Sequence, residues 1–136
     1  MTQEQKDLLL KDICARLIYG VKCVSGVDDA TLIVEGINPN CNGASEVQVT
    51  YERSGINFDT KISSIKPYLF PLSSMTEEQK EEYCSLQQKV IYNSKGLINS
   101  DVMEYVNWCY KNHIDINNLI PLGLAKDATG LGIYGK

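Results

Sequence analysis

Residues 46–61 have the sequence EVQVTYERSGINFDTK, and this stretch decides the fold. Apolar residues alternate with polar ones on both sides of Ser54 and Gly55, a pattern typical of two half-buried strands joined by a turn. Two shorter apolar runs upstream, Val21–Val24 and Thr31–Ile37, have the length and composition of further strands. Four short strands joined by tight turns predict a four-stranded antiparallel sheet or a small, partly closed barrel.

A helix is predicted before this sheet. Thr2 followed three residues later by Gln5 has the form of a capping box, which marks the start of a helix. Apolar side chains then recur at helical spacing and predict one buried face, formed by Leu10, Ile13, Cys14 and Leu17.

The C-terminal half is predicted to be helical after an extended connector. The connector, Lys66–Leu72, contains two prolines, which exclude a regular helix and argue against an inner strand. A second capping box over Ser74–Glu77 predicts a helix to about Tyr92, and a third helix is predicted from about Ser100.

The predicted fold class is therefore α+β, with an N-terminal helix, the sheet or barrel, and a C-terminal helical half. We expect a single domain over residues 1–136, with the helix and sheet in 1–65 and the connector and helices in 66–136. Both halves should share one core, because neither alone is comfortably large.

The composition and net charge of the chain argue against nucleic acid and membranes as partners. The chain has 43% hydrophobic residues and a net charge of −4, which gives no general attraction to nucleic acid or to an anionic membrane. We therefore expect neither DNA nor a membrane among its partners. The five cysteines form no C-x-x-C pair and the N-terminus lacks a long apolar run, so the predicted location is the cytoplasm.

Three motifs could carry chemistry, and each has a simpler interpretation. Cys109 and His113 could share a helix face as a thiolate–imidazole pair, but a buried thiol and a capping histidine are favoured. The glutamates of 77–82 are interleaved with Lys80, as in a solvated helix face. The GLGIYG run at 130–135 is followed by a single residue and so lacks the helix of a dinucleotide site. No catalytic residue, metal ligand or cofactor is predicted.

Aromatic and basic residues near the strand ends give the predicted ligand site. Tyrosine is the most frequent aromatic residue, and its ring with a hydroxyl suits stacking against bases. Rings mixed with positive charges could hold a phosphorylated molecule that contains a base, although ordinary core or surface packing is the simpler explanation. The predicted ligand-binding residues are Tyr51, Arg53, Lys61, Lys66 and Tyr68.

Two segments resemble a group of small proteins. KPYLFPLSSMTEEQ at 66–79 and LIPLGLAKDATGL at 119–131 resemble segments of uncharacterised proteins of Bacteroides-group gut bacteria and their phages or mobile elements. The stretches Trp108–His113 and Tyr19–Cys23 fit the same pattern. The resemblance implies a phage or mobile-element setting and carries no activity or site residue.

Three classes of function are therefore open. The leading hypothesis is a non-catalytic binding protein that sequesters a nucleotide-type immune signal, an anti-defence role that needs affinity alone. The first alternative is a protein-binding module, such as an inhibitor of a host protein, which would use a strand edge or a tyrosine-rich surface. The second is a metal-dependent hydrolase or nuclease, which the single histidine disfavours. A homodimer is compatible with any of the three.

Overall fold

The structure is a computed structural model that describes residues 1–37, 47–92 and 99–134. The predicted Asn38–Gly43 loop, Cys41 and Gly135 lie outside the described residues. The helices are α1 (Gln3–Arg16), α2 (Glu77–Tyr92) and α3 (Asn99–Lys111), and 3-10 turns cover Leu17–Tyr19, Ile62–Ser64 and Leu72–Ser74. The strands are β1 (Lys22–Ser25), β2 (Thr31–Ile37), β3 (Val47–Tyr51), β4 (Asn57–Thr60), β5 (Ile65–Leu69) and β6 (Lys126–Asp127).

Reciprocal capping boxes start α1 and α2. In α1 the Gln5 N–H donates to Thr2 Oγ1 and the Thr2 N–H donates to Gln5 Oε1, both at 3.1 Å, as predicted. In α2 the same exchange joins Thr76 and Gln79, so the box begins two residues later than Ser74. Ser74 instead donates its hydroxyl to the Pro71 carbonyl at 2.7 Å.

The α+β class is confirmed, and the sheet is open rather than a barrel. Its strand order is β4-β3-β2-β1-β5-β6, with β1 to β4 forming the predicted antiparallel meander. The prediction of four strands is too low, because β5 adds antiparallel to β1 and β6 adds parallel to β5.

Pro67 lies within β5, an inner strand, so the prediction that Lys66–Leu72 holds no inner strand is wrong. Hydrogen-bonded and non-hydrogen-bonded pairs alternate along an antiparallel ladder. The Gly26 N–H donates to the Ser64 carbonyl at 2.7 Å, so Gly26 and Ser64 form a hydrogen-bonded pair. The Cys23–Pro67 pair lies three rows further along the same ladder and is therefore a non-hydrogen-bonded pair. On the other side β6 begins to pair only at the residue after Pro67, so the missing N–H leaves no gap in either ladder.

Helix α1 covers one face of the sheet, but with a different stripe from the predicted one. Leu9 and Ile13 are fully buried, whereas the predicted core residue Cys14 is exposed. Asp12 and Arg16 complete the buried stripe as an ion pair. A hydrophobicity pattern cannot identify such a face, because half of its members are charged.

The core draws on both halves of the chain. Its fully or nearly fully buried members come from α1, from the residue before β1, from strands β1 to β3 and β5, from the turn before β5, and from the segment after α3: Leu9, Ile13, Val21, Cys23, Leu32, Val34, Val47, Val49, Ile62, Ile65, Leu69, Leu119, Leu124 and Ala125. A smaller cluster lies on the opposite face of the sheet, where Val24, Tyr68 and Ala128 pack with Phe70, Ile133 and Tyr134.

Candidate functional site

The structure does not bring the five predicted ligand-binding residues together. Tyr51 ends β3 and Arg53 is exposed in the turn that follows, whereas Lys66 and Tyr68 lie in β5. Strands β3 and β5 are three strand spacings apart, about 14 Å. Lys61 is exposed and lies between β4 and the 3-10 turn that leads to β5.

Tyr51 and Tyr68 also lie on opposite faces of the sheet. Tyr51 pairs across the strands in one row with Leu32, Cys23 and Pro67, and paired residues share a face. Tyr68 is one residue beyond this row and therefore faces the other side. Its side chain is buried in the smaller cluster, so it is not available at a surface.

The Tyr51 region is electrostatically mixed. The Tyr51 hydroxyl donates to the Asp28 carboxylate at 3.0 Å, and its ring contacts Phe58 at a centroid distance of 4.9 Å. Asp28 and Glu52 line the same shallow depression as Tyr51 and Arg53. Two carboxylates against one guanidinium do not form a positive surface for a phosphate.

The pKa shifts of Cys109 and His113 do not favour a reactive pair. Burial raises the pKa of the Cys109 thiol to about 11, and burial with the positive charges of Arg16 and Lys22 lowers the pKa of His113 to about 4. A thiolate–imidazolium pair needs the opposite shifts. Among the described residues no group of three or more His, Cys, Asp or Glu side chains could hold a metal ion.

A different constellation forms where β5, α2, α3 and the C-terminal segment meet. A cleft of about 280 Å³ lies between the residue after β5, the first turn of α2, the end of α3 and Tyr134. Its described lining residues are Phe70, Ser74, Thr76, Gln79, Lys111, Asn112, His113 and Tyr134. We call it the His113 cleft.

His113 occupies a helix-ending position that usually belongs to glycine. The His113 N–H donates to the Tyr110 carbonyl and the Ile114 N–H donates to the Cys109 carbonyl, which is the Schellman pattern that ends α3. The residue at this position is left-handed, and His113 has a φ of 59°. Such a conformation costs a non-glycine residue about 1 kcal/mol, so contacts of its side chain must offset the strain.

Tyr134 provides the main contact of the His113 ring. The two rings are stacked at a centroid distance of 3.6 Å with an interplanar angle of 8°. The Phe70 ring flanks the stack at 6.1 Å from Tyr134, and the Phe70 N–H donates to the His113 carbonyl at 2.8 Å. The imidazole is therefore fixed both through its ring and through its backbone.

The Tyr134 hydroxyl is part of the sheet. It accepts a hydrogen bond from the Lys22 N–H at 3.1 Å and donates to the Tyr68 carbonyl at 2.8 Å. These two backbone groups belong to β1 and β5, so the phenol bridges the two strands. Burial raises the pKa of the Tyr134 phenol, which therefore stays protonated and able to donate.

A buried ion pair supports the cleft from the core side. Arg16 donates to the Asp12 carboxylate at 2.6 Å and to the Ile114 carbonyl at 2.7 Å, and its guanidinium lies over the Tyr110 ring at 4.8 Å. The Ile114 contact fixes the residue that follows His113. Both charged side chains are fully buried, so water screens neither of them.

The sequence patterns missed this site because its members come from four separate segments. The useful signals were present: Phe70 lies in an apolar connector with two prolines, and the only histidine follows the predicted end of a helix. Tyr134 lies in a glycine-rich segment predicted to be irregular, and nothing in its spacing relates it to His113.

No family model, curated protein or solved structure matches this chain. Within the described residues, no helix is both long enough and apolar enough to cross a membrane.

Proposed function

We propose that this protein is a non-catalytic binding protein that holds a nucleotide-type small molecule in the His113 cleft. The observation that carries the proposal is that three aromatic residues, Phe70, His113 and Tyr134, line one cleft together with Lys111. Aromatic rings provide stacking surfaces for any base, and a lysine beside them provides a contact for a phosphate.

The protonation state of His113 supports binding of a flat, uncharged ring system. Because the pKa of His113 is lowered to about 4, the imidazole is neutral at physiological pH and its stack with Tyr134 carries no charge. A preformed stack needs little ordering when a ligand binds, which reduces the entropic cost of binding.

Sequestration is the role we propose for this binding. The resemblance of residues 66–79 and 119–131 to proteins of phages and mobile elements favours a protein directed at a host signal. A sequestering protein needs affinity and no turnover, so it requires only the stacking and polar contacts that line the His113 cleft.

Calorimetry with a panel of linear and cyclic nucleotides tests the proposal. We expect at least one member to bind, and Lys111→Ala to weaken it about tenfold through loss of a charge-assisted contact. Lys126→Ala, an exposed lysine of β6 outside the cleft, is the matched control and should bind as the wild type does.

Two further outcomes would redirect the proposal. If nucleotide affinity falls on substitution of Arg53 and not on substitution of Lys111, the binding site lies in the Tyr51 region. Failure of every nucleotide in the panel would refute the nucleotide proposal, and a stoichiometric host protein captured by the same sample would then favour the protein-binding alternative.

A further inference from the structure

The hydrogen-bonding capacity of the His113 cleft is strongly biased toward donors. Gln79 uses its side-chain oxygen to accept from the Thr76 N–H, which leaves its amide N–H₂ to donate. Lys111 has no ion pair within the described residues. The described lining residues include no carboxylate, and the acceptors among the lining side chains are neutral groups such as the Asn112 amide oxygen.

The two nitrogens of His113 differ in environment. Nδ1 is buried and has no hydrogen-bond partner within the described residues. Nε2 has no hydrogen bond to a described residue either, and because it is not among the buried atoms without a partner, we place it on the more exposed side of the ring. A proton on Nδ1 would be a buried N–H without an acceptor, which is rarer in proteins than a buried acceptor without a donor.

Burial and nearby charges keep the imidazole of His113 neutral. The guanidinium of Arg16 is fully buried, and its Nη1 is the other buried side-chain nitrogen or oxygen without a partner in the described part of the chain. Lys22 adds a second positive charge that acts on His113. These charges disfavour the imidazolium form, so only one ring nitrogen carries a proton, and the buried Nδ1 is the nitrogen that lacks an acceptor.

We infer that the His113 cleft recognises an oxyanion on its ligand, with the neutral imidazole of His113 fixed as the Nε2–H tautomer so that Nε2 donates beside Lys111 and Gln79. The inference rests on the proposed function in so far as the oxyanion is the phosphate of a nucleotide. A free phosphate or a carboxylate presents the same chemistry to these donors.

Replacing the donating amide of Gln79 with a carboxylate tests the inference without disturbing the fold. Gln79→Glu keeps the capping box, because a glutamate carboxylate also accepts from the Thr76 N–H, and a negative charge in the first turn suits the helix. It replaces the donating amide with a carboxylate that repels an oxyanion. Gln88→Glu makes the same change at an exposed position of α2 outside the cleft.

We expect AMP to bind at least tenfold more tightly than adenosine, and Gln79→Glu to reduce AMP affinity at least tenfold while leaving adenosine unchanged. Gln88→Glu should match the wild type. Equal affinity for AMP and adenosine would overturn the oxyanion inference, as would an AMP affinity that Gln79→Glu leaves unchanged. Either outcome would leave the proposed function in place.

NMR of the only histidine provides a readout that does not depend on nucleotides. Nitrogen shifts should identify the Nε2–H tautomer at pH 7, and inorganic phosphate or acetate should shift the His113 signals saturably, less so in Gln79→Glu. If phosphate shifts them and no nucleotide binds, the oxyanion inference stands and the proposed function fails. An Nδ1–H tautomer, or no saturable shift with either anion, would overturn the inference.

Discussion

The imidazole of His113 lies flat on the phenol ring of Tyr134, at a centroid distance of 3.6 Å, although the two residues belong to different segments of the chain. The stack joins the end of α3 to the C-terminal segment. Through the Tyr134 hydroxyl it also reaches the backbones of β1 and β5. Changes at this contact should therefore affect both the cleft and the sheet.

The stack should make the protein less stable in mild acid. The pKa of His113 is lowered to about 4 from an ordinary value of 6.5, so the folded state binds fewer protons than the unfolded state between these values. The contribution of the neutral His113 to the free energy of unfolding is therefore fully present above about pH 6.5. It is lost as the pH falls toward 4. Because the ring is only partly buried, we expect a loss of about 1–2 kcal/mol.

Urea unfolding between pH 7.5 and 4 measures this effect. His113→Asn is the control, because asparagine tolerates a left-handed backbone and has no titrating group in this range. The difference in unfolding free energy between the two proteins should shrink as the pH falls. A constant difference would mean that His113 titrates normally in the folded state.

Tyr134→Phe should destabilise the sheet while preserving the stack. The variant keeps the ring against His113 but leaves the Lys22 N–H and the Tyr68 carbonyl without their shared partner. We expect a loss of about 1–2 kcal/mol in urea unfolding and faster amide exchange at Lys22. Tyr19→Phe is the control, since the Tyr19 hydroxyl makes no hydrogen bond to a described residue; equal losses in the two variants would exclude a bridging role.

The Asp12–Arg16 pair should show strong coupling. Removing one partner leaves a fully buried charge unpaired, so Asp12→Leu and Arg16→Met should each cost about 3–5 kcal/mol. The double variant should cost clearly less than the sum of the two, as measured by a double-mutant cycle. Glu77→Gln, which breaks the exposed pair with Lys80, should cost at most about 0.5 kcal/mol. Additive losses for the buried pair would contradict the coupling.

Gly26→Ala should destabilise the turn that follows β1. A Cβ at Gly26 would lie 3.0 Å from the backbone carbonyl oxygen of Ser64, and that oxygen also accepts the Gly26 N–H. The backbone cannot move aside without loss of this hydrogen bond, so we expect a loss of about 1–2 kcal/mol in thermal or urea unfolding. Gly36→Ala is the matched control, because its Cβ would meet only the Gln48 side chain at 3.7 Å. Similar stability of the two variants would refute the steric argument.

Local patterns predicted the elements well because the relevant forces act over a few residues. The capping box at Thr2 and Gln5 and the alternation of residues 46–61 depend on neighbours in the chain, and both are present in the structure. The turn at Ser54 and Gly55 follows from the same local chemistry, with the Gly55 N–H donating to the Tyr51 carbonyl at 2.8 Å.

Two errors arose from applying local rules where tertiary structure decides. Proline is unfavourable in a sheet only where its N–H would be needed, and the pairing register places Pro67 where it is not. The face of α1 was misassigned because Arg16 is buried against Asp12 and the Tyr110 ring, which hydrophobicity cannot indicate. The register and the ion pair both depend on residues remote in the chain.

The site itself was beyond the reach of the sequence. The sequence grouped Tyr51 and Tyr68 because both lie near strand ends, and the strand order separates them. His113 was recognised as a helix-ending residue, whereas its stack with Tyr134 exists only because the C-terminal segment returns to β1 and β5.

The position of β5 beside β1 has a consequence for the rate at which the protein folds. The β2–β3–β4 meander involves strands that are consecutive in the chain, whereas the β1–β5 ladder must enclose the whole meander and β5–β6 must enclose both later helices. Closing longer loops costs more entropy, and contacts between remote segments slow folding. Refolding should therefore regain most secondary structure first, and the stack of His113 on Tyr134 should form only in the slowest phase.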